Sequence, residues 1–175
     1  MTLQKLFIIL IAFSTSMLNA QTTDLTSDNS EVSVLTTNIT DLNQEDKVDT
    51  NFDDLVKMYE GKVIYLDFWA SWCGPCKKEM PHAVKLQEEF KGKDVAFVYI
   101  STDRDKTAWM NAIEKYQVTG EHYRVNKNVY TQMNEKFNVQ YIPRYVLIDK
   151  EGNVVNDKAN RPSNAAIVSD INALL

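Results

Sequence analysis

Seven residues, Val63-Ile64-Tyr65-Leu66-Asp67-Phe68-Trp69, are apolar or aromatic with a single exception, and after three intervening residues the chain reads Cys73-Gly74-Pro75-Cys76. A run this long without polar alternation predicts a strand buried on both faces, which in turn demands covering layers on each side. Pro75 suits the first turn of a helix, where its missing N–H is no loss. The cysteine pair is therefore expected where a central strand hands over to a helix. That junction constrains the fold more than anything else in the 175 residues.

The remaining pattern agrees. Phe52, Leu55, Val56 and Tyr59 have helical spacing and stop at Gly61. A long helix is expected from about Cys73 to Phe90, and a second buried strand from Asp94 to Ser101. Thr107 to Tyr116 carries Ala108, Trp109, Ala112, Ile113 and Tyr116 on one side. Glu121 to Val125 reads as a short strand, Asn128 to Phe137 as a short helix, and Tyr145 to Asp149 as a third buried strand. Lys150-Glu151-Gly152-Asn153 is a hairpin turn into Val154-Val155, and Ser163 is placed to cap a last helix carrying Ile167, Ile171 and Leu174. Strands that alternate with helices and end in a hairpin predict an α/β fold: a mixed central sheet with helices on both faces.

The N-terminal 50 residues have a different character. Lys5 followed by the apolar run Leu6 to Phe13 and by Leu18-Asn19-Ala20 reads as a signal peptide over residues 1–20. Residues 21–50 hold seven acids, one base and no Gly, Pro or aromatic residue, so they are expected to be an acidic polar leader or tether. Val32, Val34 and Ile39 leave a short edge strand open. The folded domain is expected over 51–175, where acids and bases balance. The net charge of -5 offers no footprint for nucleic acid.

Only two cysteines exist. As a staple the pair would do little: closing so short a loop removes about 2 kcal/mol of unfolded-state entropy, against about 3 for a 15-residue loop. The spacing suits exchange, in which one sulfur attacks a partner's disulfide and the other resolves the mixed disulfide. A helix start favours the thiolate of Cys73. A drop in pKa from about 8.5 to about 7, ordinary for such pairs, is about 2 kcal/mol in favour of the anion. Cys76, one turn in, is expected to be more buried. Structural zinc would need two further ligands, and His82 and His122 are the only histidines. No metal and no cofactor beyond a Cys73–Cys76 disulfide is expected.

Two acids flank the pair. Asp67 among aromatic neighbours either has a raised pKa and takes a proton from Cys76 through water, or reaches solvent at the strand end. Glu79 shares a stripe with Ala83, Leu86 and Phe90, yet on spacing alone an exposed first-turn acid favoured by the helix dipole is the better reading. Pro81 interrupts the helical ladder at about the second turn. Pro143 precedes a buried strand, and on frequency alone its peptide bond is trans.

The segment from Asp67 to Pro81 resembles the active-site segment of thioredoxin-like proteins, and its Lys77-Lys78-Glu79-Met80-Pro81 ending resembles the exported TlpA/ResA-like branch. The resemblance covers about Phe52 to Leu175. It implies the thioredoxin fold with an inserted strand–helix element between Ser101 and Lys127. It also implies that Cys73 attacks and Cys76 resolves, and that Pro143 is cis beside the sulfurs. Trp72, Ile142 and Pro143 would meet the substrate chain, with Gly74, Pro75 and Pro81 structural. Asp67 matches the buried acid of thioredoxin itself and Glu79 the active-site acid of ResA-like proteins. The two together are a blend, and Ile142 stands where Thr or Val is common.

Three functions follow from this reading. The first is an exported, periplasmic or extracytoplasmic reductase of client-protein disulfides, fed by a membrane thiol electron donor. The second is a disulfide donor or isomerase. The third is a non-catalytic module holding a thiol or Cu(I), since soft thiolates suit that ion.

Overall fold

A computed structural model describes residues 36–175. The elements run β1 (Thr37–Asp41), a 3-10 turn, α1 (Phe52–Lys57), β2 (Val63–Trp69), α2 (Gly74–Glu89), β3 (Val95–Ser101), α3 (Lys106–Tyr116), β4 (Gly120–Arg124), α4 (Lys127–Phe137), β5 (Arg144–Ile148), β6 (Val154–Asn156) and α5 (Ala166–Asn172). They build one six-stranded sheet in the order β1-β4-β3-β2-β5-β6. The first four strands in that order are mutually parallel, and β5 and β6 run antiparallel at the other side.

Alternation along β2 sorts the core. Val63, Tyr65 and Trp69 pack with Met80 and Leu86 of α2 and its C-cap Phe90, Trp109 and Ile113 of α3, and Ile167 and Ile171 of α5. Ile64, Leu66 and Phe68 pack on the opposite face with Phe52 and Leu55 of α1 and Val129, Met133 and Phe137 of α4. Both faces are covered, so every residue of β2 is buried, as its unbroken apolar run requires. The inserted element implied between Ser101 and Lys127 is α3 with β4.

Two expectations need correcting. The edge strand left open at Ile39 is present, so the sheet begins well before residue 51: Thr37–Asp41 is a strand parallel to β4, with Ile39 opposite His122, and Leu42 is buried in the core. The strand TNITD is mostly polar because β1 is an outer strand, exposed along most of its length, so burial pattern carries almost no signal there. Asp41 at its end is buried and pairs with the Arg124 guanidinium at 2.8 Å. Residues 1–20, Val32 and Val34 lie outside the described residues. Ser163 does not cap the last helix, whose N-cap is Ala165 without a side-chain cap. Its hydroxyl is engaged elsewhere, as described next.

Candidate active site

Cys73 is the N-cap of α2. Its φ of -78° and ψ of 104° lie outside the helix, and its Sγ accepts the backbone N–H of Cys76 at 3.2 Å. Cys73 and Cys76 form a disulfide with Cα atoms 5.3 Å apart. Pro75 occupies the first turn, and the helix continues past Pro81 to Glu89. Cys73 is less accessible than expected, with 4 % of its surface exposed against 1 % for Cys76. The cap turns its side chain back over the helix start, and both cysteines belong to the core cluster that includes Trp69 and Tyr145, with Ile142 packed against that cluster. Trp72 next door is 66 % exposed.

Gly74, expected as structural, is demanded neither by its backbone nor by crowding. Its φ is not positive, and nothing lies within 4 Å of where a Cβ would stand.

The loop before the cysteines is fixed by a group that nothing in the sequence marked. Asp103, just after β3, accepts the Ser71 backbone N–H at 2.8 Å and the Ser71 hydroxyl at 2.6 Å, while Ser101 donates to it at 2.7 Å. These bonds tie the approach to Trp72 and Cys73 to the end of the neighbouring strand.

Asp67 does not reach solvent. It is buried, and its Oδ1 has no hydrogen-bond partner among the described residues. Burial first, and then the Glu79 charge, push its carboxyl well above the usual carboxylate range. Register places it beside Tyr99 on β3 and Tyr145 on β5, and Tyr99 in turn beside His122 on β4. Four polar side chains thus cross the sheet in one row beneath the disulfide face. The His122 ring stacks on Tyr99, with centroids 4.6 Å apart, and its Nε2 meets the Val118 carbonyl at 3.0 Å. Burial draws the His122 pKa down to about 4, so the ring is neutral at pH 7. The Tyr99 hydroxyl accepts from Gln87 of α2 at 3.1 Å, which links the row to the cysteine helix. The order of strands was needed to see this row; the sequence shows its members as four unrelated residues.

Glu79 faces inward and is 7 % exposed, so the exposed first-turn alternative fails. Its carboxylate accepts the Ser163 backbone N–H at 3.0 Å and the Ser163 hydroxyl at 3.1 Å, and lies 3.5 Å from the Arg161 guanidinium.

The Ile142–Pro143 peptide bond is cis, as the resemblance implied. Ile142 is half-buried against the sulfurs' cluster. It and Trp72 line opposite parts of a groove of about 1120 Å³ that runs over the ends of β3 and β4. Tyr130 and the 82 %-exposed Tyr141 share its wall. Sequence reading missed both tyrosines, since exposed aromatics carry no periodic signal. Among the described residues, no cluster of three or more His, Cys, Asp or Glu is placed to hold a metal ion.

Comparison with known proteins agrees with this geometry. A family profile described as thioredoxin-like matches residues 61–154, just over half of the chain. The thiol-disulfide oxidoreductase ResA of Bacillus cereus is 33% identical over 100 residues, 57% of this chain and 56% of its own length. ResA of Bacillus subtilis is 33% identical over 96 residues, 55% of this chain and 52% of its own. The chain thus spans about half the length of the curated relatives it matches. Among solved structures, the thioredoxin domain of a thiol-disulfide oxidoreductase from Bacteroides vulgatus is 27% identical with a TM-score of 0.61, covering 67% of this chain and 81% of that one. With its sheet order, its helix-capping cysteine pair and its cis proline, the chain belongs to the thioredoxin-like family.

Proposed function

We propose that this protein reduces disulfides in client proteins outside the cytoplasm, with Cys73 attacking and Cys76 resolving. The observation that carries the reading is the hydrogen bond from the Cys76 N–H to Cys73 Sγ at the start of α2. In the reduced protein the same donor and the positive helix end favour a Cys73 thiolate, the species that attacks. The thiolate displaces one sulfur of the client disulfide, which leaves as a thiolate. Cys76 then loses its proton and attacks Cys73 Sγ, expelling the second client sulfur and forming the Cys73–Cys76 disulfide. Two electrons pass to the client. They are restored by an external dithiol, a membrane thiol donor in our reading, because the sequence holds no second cysteine pair.

Trp72, Ile142 and Pro143 form the docking edge. The groove beside them has room for an extended client segment, and the ResA relatives carry the name of the same chemistry. Export rests on residues 1–20. No helix among the described residues is long and apolar enough to cross a membrane.

Reduction of insulin-type disulfides should be abolished by Cys73→Ser, while Cys76→Ser should accumulate mixed disulfides with clients. A reduction potential near that of thioredoxin, about -270 mV, is expected; one more oxidising than about -150 mV would replace the reductase with a disulfide donor. Tight stoichiometric Cu(I) binding with no turnover would replace both with a thiol module.

A further inference from the structure

The turn that presents the attacking sulfur is buried at its ends and open in the middle. Ala70 and Cys73 are buried, and the Cys73 N–H donates to the Ala70 carbonyl at 3.0 Å. Trp72 between them is 66 % exposed, so few neighbours fix its side chain and its stance follows the backbone. What holds that backbone from outside is Asp103, whose carboxyl accepts both the N–H and the hydroxyl of Ser71, the residue before Trp72. Asp103 is itself braced. The Ser101 hydroxyl donates to its carboxyl, its own N–H donates to the Ser101 oxygen at 3.0 Å, and its carbonyl accepts from the Arg124 guanidinium at 3.4 Å. Arg124 is held in turn by Asp41 of β1. Beside this brace the Thr102 N–H donates to the Trp69 carbonyl at 3.2 Å. The chain of bonds thus runs from the outer strands to the groove wall on which Trp72 stands, and Ser71, Asp103 and Arg124 line the same groove.

We propose that Asp103 is a positioning residue for client docking: through Ser71 it fixes the turn that carries Trp72, so the wall beside Cys73 already stands in its binding position when a client segment arrives. This deepens the reductase reading and rests on it. A preformed wall matters because any freedom it keeps before docking is lost on docking, and that loss is subtracted from affinity. Two bonds to one residue fix both the place and the rotation of the Ser71 peptide, where a single bond would leave a pivot. The brace does not reach the sulfur. Cys73 Sγ takes its hydrogen bond from the Cys76 N–H, on the helix side of the turn. Asp103 therefore acts on how the client sits and not on how readily the sulfur ionises.

The test is steady-state reduction of an insulin-type disulfide by the full protein, with dithiothreitol re-reducing the pair and KM separated from kcat. Beside it runs the pH profile of Cys73 alkylation by iodoacetamide in the reduced protein. Asp103→Ala should raise KM about tenfold with little change in kcat, inside the hundredfold that a small misplacement can cost. A variant that merely lost folded protein would lower kcat and leave KM alone. The midpoint of the alkylation profile should stay at the wild-type value. Asp103→Asn should restore most of the KM, since its amide still offers an oxygen to the Ser71 N–H and a donor to the Ser71 hydroxyl. Ser71→Ala removes only the hydroxyl bond and should raise KM about threefold, with no further rise when it is added to Asp103→Ala. The proposal fails if Asp103→Ala folds and keeps the wild-type KM. It fails too if the alkylation midpoint moves by about one pH unit, which would make the influence of Asp103 electrostatic. If Asp103→Ala does not fold, Ser71→Ala decides: a raised KM supports the brace and an unchanged one overturns it. A wild type that reduces no disulfide would instead sink the reductase reading, so the two failures are distinct.

Discussion

At Asp67 folding and chemistry pull in opposite directions. The side chain sits in β2 under the cysteine helix, where a charge is costly and no partner meets Oδ1. Its pKa in the folded chain is raised above that of the unfolded chain. Its contribution to stability is therefore fully present below about pH 3.8 and is lost as pH rises. Asp67→Asn should match the wild type near pH 3.5 in chemical denaturation and exceed it at pH 7. The gap should grow by about 1.4 kcal/mol per pH unit until the folded Asp67 ionises. A variant no more stable at pH 7 would mean that Asp67 is already neutralised by a neighbour. Part of this was legible beforehand, because one acid among Tyr65, Leu66, Phe68 and Trp69 can only be costly or exposed. Which of the two held depended on α2 lying over it, and no local pattern states that. Ser163 shows the reverse case: its position before an apolar stripe suggested a cap, but the nearby carboxylate of Glu79, distant in sequence, is its partner.

Among the elements, those with strong periodicity were readable and those without were not. β2, β3 and β5 are buried runs, and α2, α3 and α4 carry apolar stripes, so each was found within a residue or two. β1 was legible only as an alternative left open at Ile39, because an outer strand with polar residues has the composition of a linker. The order of the strands also lay beyond sequence, since pairing is decided by contacts far apart along the chain. One residue shows how tight the β3–β4 side is. Gly120 has φ of 97°, and a Cβ there would stand 2.7 Å from the Phe97 carbonyl oxygen. Both the backbone conformation and the space exclude a side chain, so Gly120→Ala should lower stability by about 2 kcal/mol or more in urea unfolding. A loss under about 0.5 kcal/mol would show that the strand shifts to make room.

For the whole molecule, the pH response of stability combines groups on the outer parallel strands of the sheet. His122 is buried neutral with its pKa drawn down to about 4, against 6.5 for the free group. The unfolded chain binds its proton first, so stability should fall as pH drops from about 6.5 to 4, by about 3 kcal/mol from this residue. His122→Gln should flatten that slope in thermal melts; a slope unchanged by the substitution would assign it elsewhere. At Asp41, burial pushes the pKa up, but hydrogen bonds from Arg124 and Asn43 outweigh it and hold the group at about 2. Its contribution is present above about pH 3.8 and is lost as pH falls through 2.

The thin exposure of Cys73 bears on which bonds the molecule touches. With only 4 % of the residue uncovered, no flat, well-packed surface can bring its own sulfur close enough for in-line attack. For the docking proposed above, a target would lift its cysteine on a slack strand and lay it past the cis proline. On the proposed reductase reading, crosslinks on loose segments are favoured over those seated deep in finished proteins. Proofreading of that kind needs no recognition code, only a narrow doorway.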